Sequence, residues 1–150
     1  MSDFIKLYGG TVTSGGTDGT AISENMLQTS PLKTSLNAKN AEAKAVKVAL
    51  RCEDGFQTSG DVSVSAWRYD GTKYVNTGGN IDKFRFAKDN NYADAATALA
   101  NATWVTELTI DDVIDDTNYI FWVKIMSETT QTPQKDTSVS VHITGVVEAA

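Results

Sequence analysis

The stretch NYIFWVKIM, residues 118–126, alternates with the period of a β-strand, yet both of its faces are apolar. Tyr119, Phe121, Val123 and Ile125 point one way; Ile120, Trp122 and Met126 point the other, and Lys124 alone breaks the second row. An antiparallel strand in a small domain usually buries one face and wets the other. A second apolar face needs a second cover. Two covers satisfy it: a segment of the same chain, such as residues 9–30, or a neighbouring copy. The expected interface residues are therefore Ile120, Trp122 and Met126.

Outward from this strand the chain reads as more strands. FIKLY (4–8) is short and apolar. In residues 46–52, Val46, Val48, Leu50 and Cys52 alternate against Lys47, Ala49 and Arg51. DVSVSAW (61–67) turns Val62, Val64 and Ala66 inward, and KFRFAK (83–88) does the same with Phe84 and Phe86. TSVSVHITGVV (137–147) sets Val139, Val141 and Ile143 against Ser138, Ser140, His142 and Thr144. PLKTSLNA (31–38) is a further candidate strand, opening on Pro31 where a missing N–H does least harm. WVTELTI (104–110) has mixed parity: Trp104, Leu108 and Ile110 share a face with Thr106, opposite Val105. YDGTKY (69–74) carries the Asp-Gly signal of a hairpin between two tyrosines. NYADAATALAN (91–101) is the one plausible helix.

Seven to nine short strands, with turn signals about every ten residues, predict an all-β fold, an antiparallel β-sandwich of immunoglobulin-like type. The 150 residues form one domain, 1–150, with residues 1–30 including a Gly/Thr/Ser-rich arm or long loop. In GGTVTSGGTDGT (9–20) there is too little apolar surface for the segment to order by itself. Gly9, Gly10, Thr11, Val12, Gly15, Gly16, Asp18 and Gly19 form the expected docking arm. Cys52, Trp67 and Tyr119 stand roughly where an immunoglobulin domain has its first Cys, its core Trp and its corner Tyr, with Phe121 in place of the second Cys. Parity nevertheless puts Trp67 on the Ser63/Ser65 face.

Composition narrows the function. The net charge is −6, with eleven acids and eleven bases in residues 1–100 and eight acids against Lys124 and Lys135 thereafter, which disfavours a nucleic-acid groove. No run approaches the roughly 18 apolar residues of a membrane helix, and no signal peptide opens the chain. The lone cysteine, Cys52, makes neither an internal disulfide nor a zinc site by itself and is read as a buried apolar side chain. His142, the single histidine, sits on a polar strand face with no nucleophile and acid located beside it. Neither a nucleophile elbow, a phosphate loop nor a zinc-protease motif is present. No enzyme and no cofactor is expected. Asp111, Asp112, Asp115 and Asp116 crowd six positions; a calcium loop is the sharp reading and a solvated Asx-type turn the plainer one. Trp67, Tyr69, Tyr74, Trp104 and Trp122 offer rings for a sugar platform or for packing.

Three stretches, FIKLYGGTVTSGGTDGT (4–20), LNAKNAEAKAVKVALRCEDGFQTSGDVSVS (36–65) and NYIFWVKIMSETTQTPQKDTSVSVHITGVVEA (118–149), give the chain a texture that resembles small virion proteins of tailed bacteriophages. Residues 78–103 carry that resemblance least. It implies a capsid decoration, or auxiliary head, protein with an immunoglobulin-like fold, made in the host bacterial cytoplasm and located in the virion. The implied partners are the major capsid protein or other virion subunits, with homo-oligomer formation and no nucleic acid or membrane. A tail-tube or tail-associated protein is the alternative within the virion. A carbohydrate-binding module for host adsorption is the alternative outside that class.

Overall fold

The computed structural model describes residues 4–22, 42–127 and 139–150. The candidate strand at 31–38 lies outside these residues. The described chain forms β1 (Ile5–Gly9), β2 (Thr20–Ala21), β3 (Ala43–Cys52), β4 (Phe56–Tyr69), β5 (Tyr74–Val75), β6 (Phe84–Lys88), β7 (Glu107–Ile110), β8 (Tyr119–Met126) and β9 (Val139–Ala149). A helix, α1 (Ala95–Asn101), and a single 3-10 turn at Ile81–Lys83 complete it.

Two antiparallel sheets pack together as an all-β sandwich. One has the order β2-β1-β3-β8-β6. In the other, β4 is central: β9 pairs along most of one edge, while β7 (at Val62–Ser65) and β5 (at Arg68–Tyr69) pair along the opposite one. The core between the sheets holds the inward sets expected from alternation. Val48, Leu50 and Cys52 meet Val62, Val64, Phe86, Leu108, Ile110, Phe121, Val123, Val141 and Ile143 there. β4 carries two extra residues between Ser59 and Ser63, which bulge against a regular β9. Opposite that bulge, Gly145 lets β9 pass Val62, whose Cγ2 would lie only 3.0 Å from an added Cβ.

β8 lies between β3 and β6 in the middle of its sheet. Phe121 and Val123 face the core, and Ile120 and Trp122 face away from it. Neither of these two is exposed: Ile120 is 5% accessible and Trp122 is 2%. Val12 packs on Ile120 together with Ala49 and Tyr8. Trp122 lies with Ala45 and Ala98 under Tyr92, Leu99 and Trp104. The cover is the chain's own, so Ile120 and Trp122 are corrected from interface to interior; Met126, at the strand end, is half-buried.

The immunoglobulin-type spacing of individual residues is also corrected. β8 pairs with β3 inside one sheet, where Phe121 is opposite Val48, so Phe121 does not face Cys52 across the sandwich. Trp67 stays on the outer face, as its parity requires, and is not a core tryptophan. Trp104 and Val105 have conflicting parity because the chain changes sheets there. Trp104 covers Trp122, Val105 bridges to Phe86 of β6, and Leu108 and Ile110 then pair with β4.

Deleting a large buried ring removes transfer energy and leaves a cavity. Trp122→Ala is expected to destabilise the isolated chain by about 3–5 kcal/mol in urea unfolding. A loss below about 1 kcal/mol would instead mark Trp122 as a surface residue of the free chain.

Candidate functional site

The expected docking arm is a folded loop. Gly9 ends β1, Thr20 begins β2, and residues 10–19 lie back over β8. One apolar residue, Val12, supplies the buried contact; polar groups supply the rest. Asn118, itself 4% accessible, donates from Nδ2 to Thr13 O (3.1 Å), Asp18 O (3.2 Å) and Asp18 Oδ1 (2.8 Å). Its backbone N–H donates to Gly16 O, and its carbonyl accepts from Gly15 N. Arg51 donates from Nη1 to Asn118 Oδ1 and Asp18 O, both at 2.7 Å, and stacks 3.6 Å over the Tyr8 ring. Gly19 has φ +105°, and a Cβ there would stand 2.6 Å from Val12 Cγ1, so glycine is required where the loop folds over its own valine. Thr11 and Gly10 are exposed at the loop's outer side.

The second cover is short and capped. Asp94 accepts from Thr97 N and Thr97 Oγ1 at the start of α1, and Trp122 Nε1 donates to Asp89 Oδ1 at 2.9 Å. Between the two covers is a groove of about 610 Å³ whose charged lining is Lys47 and Asp94. The latter's Oδ1 is the acceptor of the helix cap. Among the described residues every buried side-chain nitrogen and oxygen has a partner.

The acidic stretch folds as a turn. Asp115 Oδ1 accepts from Thr117 N and Oγ1, Asp111 pairs with Lys88 at 2.9 Å, and Asp112 accepts from the Tyr119 hydroxyl at 2.8 Å. Burial first, and then that hydrogen bond, push the Tyr119 phenol far above its ordinary range. No group of three or more His, Cys, Asp or Glu side chains with metal-binding geometry occurs among the described residues. Cys52 is buried, its thiol donates to Ile114 O at 3.4 Å, and burial raises its pKa, which places it among inert structural cysteines.

The outer face of the β4 sheet is the surface without a cover among the described residues. Cross-strand register builds it in rows. Glu107, Ser65 and His142 form one row across β7, β4 and β9; Thr109, Ser63 and Thr144 form the next. Beyond them Trp67 stands beside Ser140, and Tyr69 is opposite Tyr74. Trp67 and His142 stack diagonally with centroids 4.5 Å apart, and Trp67 Nε1 donates to Ser65 Oγ at 3.0 Å. Tyr69 and Tyr74 meet edge to face at 5.5 Å. The expected Asp-Gly hairpin holds these tyrosines together, with Asp70 Oδ1 accepting from Thr72 N and Lys73 N. Trp67, Tyr69 and Tyr74 are thus gathered on one half-exposed face, whereas Trp104 and Trp122 belong to the layer on the other sheet. Spacing alone had not joined His142 to this face's aromatic row; the β4–β9 register does.

No family model, curated protein or solved structure matches the chain.

The loop anchor makes a pH prediction. The Thr13 backbone N–H, then its hydroxyl, hold the Asp18 carboxyl below its ordinary 3.8. A depressed folded value means the contribution is complete above 3.8 and is lost as pH falls through the lower folded value. The Thr13 amide resonance is expected to shift in that acid range, and Asp18→Asn to abolish the transition. An amide indifferent to acid would contradict the anchor.

Proposed function

We propose that the chain is a non-enzymatic structural protein of a tailed-phage virion, a decoration protein that docks on the outside of the head lattice. The carrying observation is the asymmetry of the sandwich. One sheet is sealed on its outer side by the chain's own loop and helix, while the other presents a half-exposed aromatic, hydroxyl-rich face that neither of these covers. Trp and Tyr combine large area with a polar tip and are enriched where proteins meet. Docking is thereby assigned to Trp67, Tyr69, Tyr74 and His142, in place of Ile120 and Trp122. An immunoglobulin-like layout suits this reading. The order β1-β3-β8-β6 follows A-B-E-D, and β5-β4-β9 follows C′-C-F. The resemblance of the sequence to small virion proteins supplies the partner class, the major capsid protein.

Heads lacking the protein, from the phage that carries its gene, are expected to bind the purified chain saturably in co-sedimentation. Trp67→Ala should weaken binding at least tenfold while leaving the melting curve nearly unchanged, as for a hot-spot residue on a half-exposed face. Heads that do not retain the wild-type chain count against the proposal.

The same face favours one other reading, a carbohydrate-binding module. Trp67, Tyr69 and Tyr74 share it with the hydroxyls of Ser63, Ser65 and Thr144. Glycan-array binding that disappears in Trp67→Ala would select that reading over the lattice.

A further inference from the structure

An aspartate followed by glycine can rearrange through its own backbone. The glycine nitrogen attacks the aspartyl Cγ, and a residue without a Cβ leaves that nitrogen unshielded. The chain contains this dipeptide three times, at Asp18–Gly19, Asp54–Gly55 and Asp70–Gly71. All three aspartates are exposed, so exposure does not rank them. Restraint does.

Asp18 Oδ1 accepts from Thr13 N and Asn118 Nδ2, and Asp18 Oδ2 accepts from Thr13 Oγ1, each at 2.8 Å. Asp70 Oδ1 accepts from Thr72 N at 2.8 Å and from Lys73 N at 2.9 Å. Either carboxyl must give up these bonds before it can turn back on the next amide. The Asp54 carboxyl has no hydrogen bond or ion pair among the described residues, and neither has the Gly55 N–H. The space about Gly55 is open as well: an atom placed where a Cβ would stand meets nothing within 4 Å.

We propose that Asp54–Gly55 is a site of backbone isomerisation, at which the turn between β3 and β4 converts to isoaspartate. Gly55 N bonds to Asp54 Cγ, and the carboxyl's hydroxyl leaves with the amide proton as water, which gives a five-membered succinimide. Water then adds to one of the two imide carbonyls. Opening at Cγ regenerates aspartate. Opening at the former main-chain carbonyl leaves the chain running through Cβ and Cγ, with a free α-carboxylate. Mass and formal charge are unchanged, but the main chain gains one methylene. That atom enters a closed turn, in which Phe56 N donates to Glu53 O at 3.0 Å. The same turn holds the start of β1 and the end of β9: Phe56 stacks on Phe4 with centroids 4.6 Å apart, and Gly55 O accepts from Ala150 N at 2.9 Å. Isomerisation therefore loosens the sandwich where these strands meet. The inference is independent of the docking reading, since Trp67 and Tyr69 lie at the opposite end of β4.

The full chain, aged at neutral pH and digested with trypsin, is read by electron-transfer fragmentation, which separates isoaspartate from aspartate at each position. Isoaspartate at 54 is expected to exceed that at 18 or 70 at least about tenfold, because only the latter two must first release hydrogen bonds. In urea that unfolds the chain the three positions should converge. The aged wild type should also exchange its Ala150 amide faster than the fresh chain. Asp54→Glu, whose longer side chain demands a six-membered ring, should keep the original exchange rate. Equal accumulation at the three positions of the folded chain, or an excess at 18 or 70, overturns the proposal. So does an excess at 54 that persists in urea, or a folded chain unmodified at 54 after ageing that modifies the unfolded one.

Discussion

A strand with large apolar groups on both faces must be dry on both sides, and β8 imposes that condition on the rest of the molecule. Its core face is satisfied by the opposing sheet, as in any sandwich. Its other face is satisfied piecewise: Val12 from an early loop closes over Ile120, and α1 with Trp104 closes over Trp122. Each piece is too poor in apolar surface to hold its place by burial alone. Hydrogen bonds make up the difference, through Asn118 for the loop and through the Asp94 cap and the Asp89–Trp122 bond around the helix. Asn118 and Trp122 are themselves buried, so each needs its partner in place or a desolvation penalty remains.

Sealing one side also gives the sandwich a direction. The outer side of the β3–β8 sheet carries a third layer, whereas that of the β4–β9 sheet keeps aromatic rings and hydroxyls in contact with solvent. The proposed lattice contact uses the sheet that carries no such layer among the described residues. A subunit docked in the proposed way presents its sealed side outward, where the Gly- and Thr-rich loop becomes the exposed surface of the assembly.

Alternation made most of this fold legible. The inward sets on β3, β4, β6, β8 and β9 follow a period of two because each strand has the core on one side and something more polar, or an added layer, on the other. The doubly apolar row of β8 likewise announced that a further layer exists. What covers it was not legible, because residues 9–20 contain one useful apolar side chain and their anchor, Asn118, is 100 positions from Asp18. Immunoglobulin-type spacing misplaced Phe121 for a related reason. Spacing counts residues along the chain, while sheet membership depends on which edges pair, and β8 pairs with β3. The aromatic face was half legible: parity put Trp67 outside and Asp-Gly paired the tyrosines, but the partner strand that brings His142 alongside is fixed only by tertiary register.

The distance between Asp18 and Asn118 also orders events during synthesis. The loop emerges from the ribosome 100 residues ahead of the side chain that fastens it. At roughly 5–20 residues per second that is a wait of about 5–20 s. Through that interval β1 has no finished sheet to lie in, since β3 still lacks β8 on its far side. Closure over Ile120 therefore waits for a non-local contact, and the nascent chain carries its glycine-rich loop unfastened until the strand it protects has been made.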